Sequence, residues 1–113
     1  MSKLLSRGLH ASNVLRTYSN VKLTLFSKKD CGLCDSAKNV LNSLTQSPDY
    51  KSVECSIVDV KLPENKRWWD MYCFDVPVLH IEDKRDHTKL HKVFHRLNEN
   101  QVKDLINEIK KEI

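Results

Sequence analysis

VKLTLFSKKDCGLCDSAKNVLNSL, residues 21–44, holds a change of period. Val21 to Phe26 alternates apolar and polar side chains and carries β-branched and aromatic residues, the pattern of a strand. Lys28-Lys29-Asp30 makes a short charged loop. From Cys31 the apolar positions take helical spacing, at Leu33, Ala37, Val40, Leu41 and Leu44. Ser47-Pro48-Asp49 ends that helix. A strand thus runs through a loop into a helix, and Cys31 and Cys34 stand at the junction.

The rest of the chain extends this pattern. Val53 to Val60 reads as a second strand, with Val53, Cys55 and Ile57 on one face and Cys55 turned inward. Pro63-Glu64 suits a first helical turn, because proline lacks the N–H that goes unpaired there. A short helix to about Phe74 follows, carrying Trp68, Trp69 and Tyr72. Val76 to Ile81 is a third strand, residues 82–88 a charged loop, and Lys89 to His95 a fourth strand. Leu97 to Ile113 is the last helix, with Asn98 as N-cap, Gln101 as its capping-box partner, and Val102, Leu105, Ile106 and Ile109 as its buried stripe. The order is βαβαββα. A strand–helix–strand start implies a parallel pair with a right-handed crossover, and two late strands imply an antiparallel hairpin. The expected class is α/β, a mixed four-stranded sheet flanked by helices.

Composition sets the limits. The 113 residues suffice for a single core. The net charge is +4, but residues 1–20 hold Lys3, Arg7 and Arg16 and no acid, so the body is close to neutral. A basic pI is therefore no argument for nucleic acid, and none is expected as a partner. No apolar run approaches the ~20 residues a membrane span needs, so no membrane partner is expected either. Two glycines exclude a Gly-rich phosphate cradle. The first twenty residues have the Ser- and Arg-bearing, acid-free make-up of a mitochondrial transit peptide, and Arg16-Thr17-Tyr18-Ser19 resembles a matrix-protease site cut after Tyr18. The domain is expected over residues 21–113, in the mitochondrial matrix. The alternative is a plain N-terminal arm on a cytoplasmic protein.

The chemistry lies in Cys31-Gly32-Leu33-Cys34. A cysteine at a helix N-terminus faces unpaired N–H groups and the positive end of the helix dipole, which favour thiolate over thiol. Lys28 and Lys29 add to this, while Asp30 and Asp35 oppose it. Cys34, one turn on, can reach Cys31 and close a disulfide. Cys31 is then the attacking sulfur and Cys34 the resolving one. Pro77 opens the third strand, and a cis Val76–Pro77 bond would aim the Val76 backbone at the sulfur pair, its N–H and C=O holding an extended substrate. Zinc is disfavoured. His91 and His95 on one strand lie ~13 Å apart, too far to chelate one ion, and their distance from the cysteines in sequence is wrong for a finger. An iron–sulfur cluster ligated by the same cysteines is the alternative use. Cys55 reads as a buried, inert thiol, and Cys73 as a candidate for an accessory disulfide. Trp68 and Trp69 read as packing residues, one more exposed than the other, and His80 as a structural or surface histidine.

The run Leu25-Phe26-Ser27-Lys28-Lys29-Asp30-Cys31-Gly32-Leu33-Cys34-Asp35-Ser36-Ala37-Lys38 resembles the small glutaredoxin-like proteins of the thioredoxin-fold superfamily. Leu62-Pro63-Glu64-Asn65, the aromatics Trp68, Trp69 and Tyr72, and Val76-Pro77-Val78-Leu79-His80 extend the resemblance through the body. It implies a thioredoxin-like fold and thiol–disulfide oxidoreductase activity. The implied substrates are protein or low-molecular-weight disulfides. Glutathione is the implied co-substrate, Lys28 and Val76 match glutathione-contacting positions in kind, and no tightly bound cofactor or metal is implied. A monomer is expected. Two departures stand out. Gly-Leu replaces the usual Pro-Tyr inside the motif, and His95-Arg96-Leu97-Asn98 stands where glutaredoxins carry Gly-Gly and an acid. The competing function is a binding module that keeps the fold and uses the cysteines for a cluster or a partner protein.

Overall fold

β1 (Val21–Ser27) is buried along almost its whole length, as befits a strand with a neighbour on each side. A computed structural model describes residues 18–111. β1 leads through Lys28–Asp30 into α1 (Gly32–Gln46), which Ser47 ends before a single 3₁₀ turn at Pro48–Tyr50. β2 (Glu54–Asp59) follows, then a 3₁₀ turn at Pro63–Asn65 and the two-turn helix α2 (Lys66–Tyr72). β3 (Val78–Asp83) and β4 (Asp86–Phe94) form a hairpin, and α3 (Glu99–Lys111) closes the fold. The sheet order is β2-β1-β3-β4, with β2 parallel to β1 and the other neighbours antiparallel. This is the expected βαβαββα order and the expected mixed sheet.

Two cores lie on the two faces. One face sets Leu23, Leu25, Leu79 and Ile81 against Ala37, Leu41 and Leu44 of α1 and Val102, Ile106 and Ile109 of α3. The stripe on α3 is the one its spacing predicts. Its first turn is capped by the Asn98 side chain, which accepts the Gln101 N–H at 3.0 Å, a contact worth about 1 kcal/mol to a helix. The other face carries a smaller cluster of Phe26, Val60, Tyr72, Val76 and Val78 around Cys34. Among the described residues, no helix is long and apolar enough to cross a membrane.

Three expectations need correction. Cys55 is not inward: it is exposed, and its face-mate Ile57 is 53% exposed. Both share a face with their β1 neighbours Leu23 and Leu25, as alternation predicts. But β2 is an edge strand, and the helices pack over the middle of the sheet rather than over its lane. The loop expected over residues 82–88 is mostly strand. Only Lys84 and Arg85 turn the chain, because the Asp83 carboxylate accepts the Arg85 N–H at 2.8 Å and closes the corner. The packed body also begins before position 21. Tyr18 stacks on Tyr50 with ring centres 4.9 Å apart, and its hydroxyl donates to the Asn107 side-chain carbonyl at 2.5 Å. The leader expected over residues 1–20 lies outside the described residues as far as position 17.

Candidate active site

α1 begins where β1 has delivered the chain to one end of the sheet, and Cys31 is its N-cap. The Cys31 sulfur accepts the Cys34 N–H at 3.1 Å, and the Cys31 carbonyl accepts the Asp35 N–H at 3.1 Å. A cysteine at the cap sits among the N–H groups that have no partner within the helix. One turn on, Cys34 faces into the smaller core. The two sulfurs are joined as a disulfide, with Cα atoms 5.2 Å apart. Their exposures differ sharply: Cys31 is partly accessible, whereas Cys34 is 0% exposed. Gly32 and Leu33 stand out into solvent between them.

Val76 joins Cys31 and Cys34 in one cluster, and the Val76–Pro77 bond is cis. The Val76 N–H donates to the Tyr72 carbonyl at 3.2 Å. That corrects the expectation that both backbone groups of Val76 await an incoming strand, since only the carbonyl is left. The Pro77 carbonyl accepts the His95 N–H at 2.8 Å, which ties the end of β4 to the proline. His95 has a left-handed φ of 68°, a conformation that costs a residue with a side chain far more than it costs glycine. The stretch His95–Asn98 thereby forms, with Leu33 and Ser36, a cleft of about 300 Å³ next to the dithiol.

Lys28 lies on the opposite flank. Its ammonium donates to the Cys73 carbonyl at 3.2 Å and sits 6.0 Å from the centre of the Trp69 ring. Charges of both signs, Lys28, Lys29 and Lys38 with Asp30 and Asp35, line the groove beside the start of α1. Val60, Leu62, Pro63 and Trp69 line a further cleft of about 320 Å³. Phe74, two residues before Val76, is 93% exposed. The sequence reading missed this apolar rim, since nothing in the pattern around Phe74 separates an exposed aromatic from a packed one. Trp69 is exposed and Trp68 half-buried, the split their adjacency suggested. Cys73 is half-buried and unpaired. Among the described residues, no three His, Cys, Asp or Glu side chains are grouped to hold a metal.

His80 is a buried histidine. Phe26, Trp68 and Tyr72 surround its ring at 4.6, 5.9 and 5.6 Å between centres, and the Tyr72 hydroxyl lies 2.7 Å from Nε2. Burial holds its imidazole below the ordinary range, Lys92 adds in the same direction, and Glu82 opposes. The native ring thus stays neutral where the unfolded chain gains a proton, below about pH 6.5. Stability is therefore expected to fall as the pH drops through about 6.5 towards the lowered native value. Urea midpoints at about pH 7.5 and about pH 5.5 measure the loss. The gap should narrow in His80→Gln, which cannot titrate, and an unchanged gap assigns the acid sensitivity to other groups.

Comparison with known proteins agrees with this geometry. The glutaredoxin-like domain family (DUF836) matches residues 22–107. A glutaredoxin-like protein of Dictyostelium discoideum is 27% identical over 75 residues, 65% of this chain and 68% of its own length. The chloroplastic thioredoxin z superposes with a TM-score of 0.67 at 20% identity, over 92% of this chain and 90% of its own. A mutant thioredoxin from Halobacterium salinarum gives 0.64 at 23% identity, over 92% and 87%. These two structures share the fold, which is that of thioredoxin.

Proposed function

The chain belongs to the glutaredoxin-like domain family, and from that premise we propose that it is a dithiol oxidoreductase that reduces protein disulfides or glutathione mixed disulfides. One observation carries the reading. The two sulfurs form a disulfide in which one atom meets solvent and the other is sealed in the core. That difference in exposure supports attack by Cys31 and resolution by Cys34.

In the reduced protein, the Cys31 thiolate attacks one sulfur of the substrate disulfide. A new S–S bond forms to Cys31, and the other substrate sulfur leaves as a thiolate. Cys34 then loses its proton and attacks the Cys31 sulfur. The second substrate sulfur departs as a thiol, the substrate has gained two electrons and two protons, and the protein is left oxidised by the same two electrons as the Cys31–Cys34 disulfide. Two external thiols, with glutathione as the proposed source, restore the dithiol. The Val76 carbonyl and the exposed Leu33, Trp69 and Phe74 supply backbone and apolar contacts to the substrate. The His95–Asn98 cleft has no Gly-Gly and no acid, so glutathione would be held there by different groups than in glutaredoxins.

Cys34→Ser is the test. With the buried sulfur gone, the first step proceeds and the second does not. Incubated with oxidised glutathione and quenched in acid, this variant should accumulate a single glutathionyl adduct on Cys31, read from the intact mass. Turnover on protein disulfides at the wild-type rate would remove Cys34 from the mechanism. The absence of any adduct would remove glutathione.

A further inference from the structure

The second face of the sheet is covered at only one end. α2 has two turns and seals the region around Phe26 and Cys34. Past Trp68, an open basin of about 450 Å³ remains over β1, β2 and β3. Neither dithiol cysteine lines it.

A polar open face is ordinary for a sheet with an antiparallel part. Two side chains here are not ordinary. Thr24 and His80 sit opposite each other in the β1–β3 register and are each 8% exposed. Among the described residues, the Thr24 hydroxyl has no hydrogen-bond partner, and the His80 ring is bonded only through Nε2. Buried polar groups are nearly always satisfied, and an unsatisfied one at the floor of an opening points to something that fills it.

The Thr24 hydroxyl can donate into the basin, and so can His80 Nδ1 in the tautomer whose Nε2 accepts from the Tyr72 hydroxyl. The Arg67 guanidinium sits over Trp68, 4.4 Å from the ring centre, and makes no ion pair among the described residues. Glu82, the acid at this site, is already held by His87 at 3.1 Å. Trp68 and Leu90 provide apolar wall. The planar guanidinium matches a carboxylate in shape as well as charge.

We propose that the basin binds a small carboxylate with an apolar body. Its head is held by Thr24, His80 and Arg67, and its body rests on Trp68 and Leu90. The site is separate from the dithiol and does not depend on the redox reading.

Benzoate is the probe, titrated into the ¹⁵N-labelled full chain with sodium chloride holding the ionic strength constant. Saturable shifts are expected at the amides of Thr24, Ser56 and Arg67 and at the His80 ring. Arg67→Gln should weaken binding about tenfold or more. Thr24→Val, which keeps the side-chain shape, should weaken it by less. Linear shifts without saturation, shifts centred on lysines elsewhere, or equal affinity in Arg67→Gln would overturn the site. Inorganic phosphate binding as well as benzoate would overturn the carboxylate and the role of the apolar wall.

Discussion

Cys31→Ser should lose disulfide exchange by at least about a thousandfold while keeping its fold. The reason lies in where the atom sits. Cys31 is the helix cap, half open to solvent, and its sulfur accepts the Cys34 N–H. Serine is a good N-cap, so the helix start survives the exchange. What does not survive is the nucleophile, because a serine hydroxyl does not ionise in the range where a thiol at a helix start does. The measurement is the rate of reduction of a glutathione mixed disulfide, beside thermal unfolding of reduced wild type and variant. Equal unfolding with a lost rate assigns the effect to chemistry. A rate within about tenfold of wild type would mean that another sulfur attacks, and the proposed function would fail.

The largest effect on stability is expected from Phe26→Ala, a cost of about 3–5 kcal/mol. Phe26 is 1% exposed, and its ring meets Trp68 at 4.5 Å, His80 at 4.6 Å and Tyr72 at 5.2 Å between centres. It joins the central strand to α2, so its loss opens a cavity that neither side can easily fill. Domains of this size have about 5–15 kcal/mol in total, and the variant should lie near the edge of folding. The same substitution at exposed Phe74 should change stability by no more than about 0.5 kcal/mol. Urea unfolding of both variants makes the comparison. Similar midpoints would show that the aromatic cluster is not what holds α2 to the sheet.

Most of the architecture was legible because the signals were periodic and local. The change of period at Cys31, the prolines at 48, 63 and 77, and the α3 stripe each follow from sequence neighbours. The thiol pair was legible for the same reason, since a helix start and a two-residue spacing are local facts. Failures occurred where the answer depends on what packs across space. Alternation placed Cys55 and Ile57 on the correct face, but not the absence of a helix above that lane. His80, read as structural or surface, is structural because Tyr72 and Trp68 fold back over it from only eight and twelve residues earlier, a contact that periodicity does not encode. The Asp83 corner escaped because a side chain, not a run of loop residues, makes the turn. Val76 seemed to offer its N–H only because the end of α2 had not yet been placed beside it.

The packing of Tyr18 would set an order of events for the cut proposed beside it. The cut proposed from the Arg16 spacing falls between Tyr18 and Ser19. In the folded protein that bond lies in a turn, where the Val21 N–H donates to the Tyr18 carbonyl at 3.1 Å and the ring is held by Tyr50 and Asn107. A peptidase takes its substrate extended, so this corner must open first, and cleavage runs no faster than local opening allows. On a chain still unfolded the same bond is free. A cut at this place is therefore early or slow. Folding closes the interval in which a peptidase could take this bond, so the leader proposed for the first residues, if cut here, would have to leave before the corner forms.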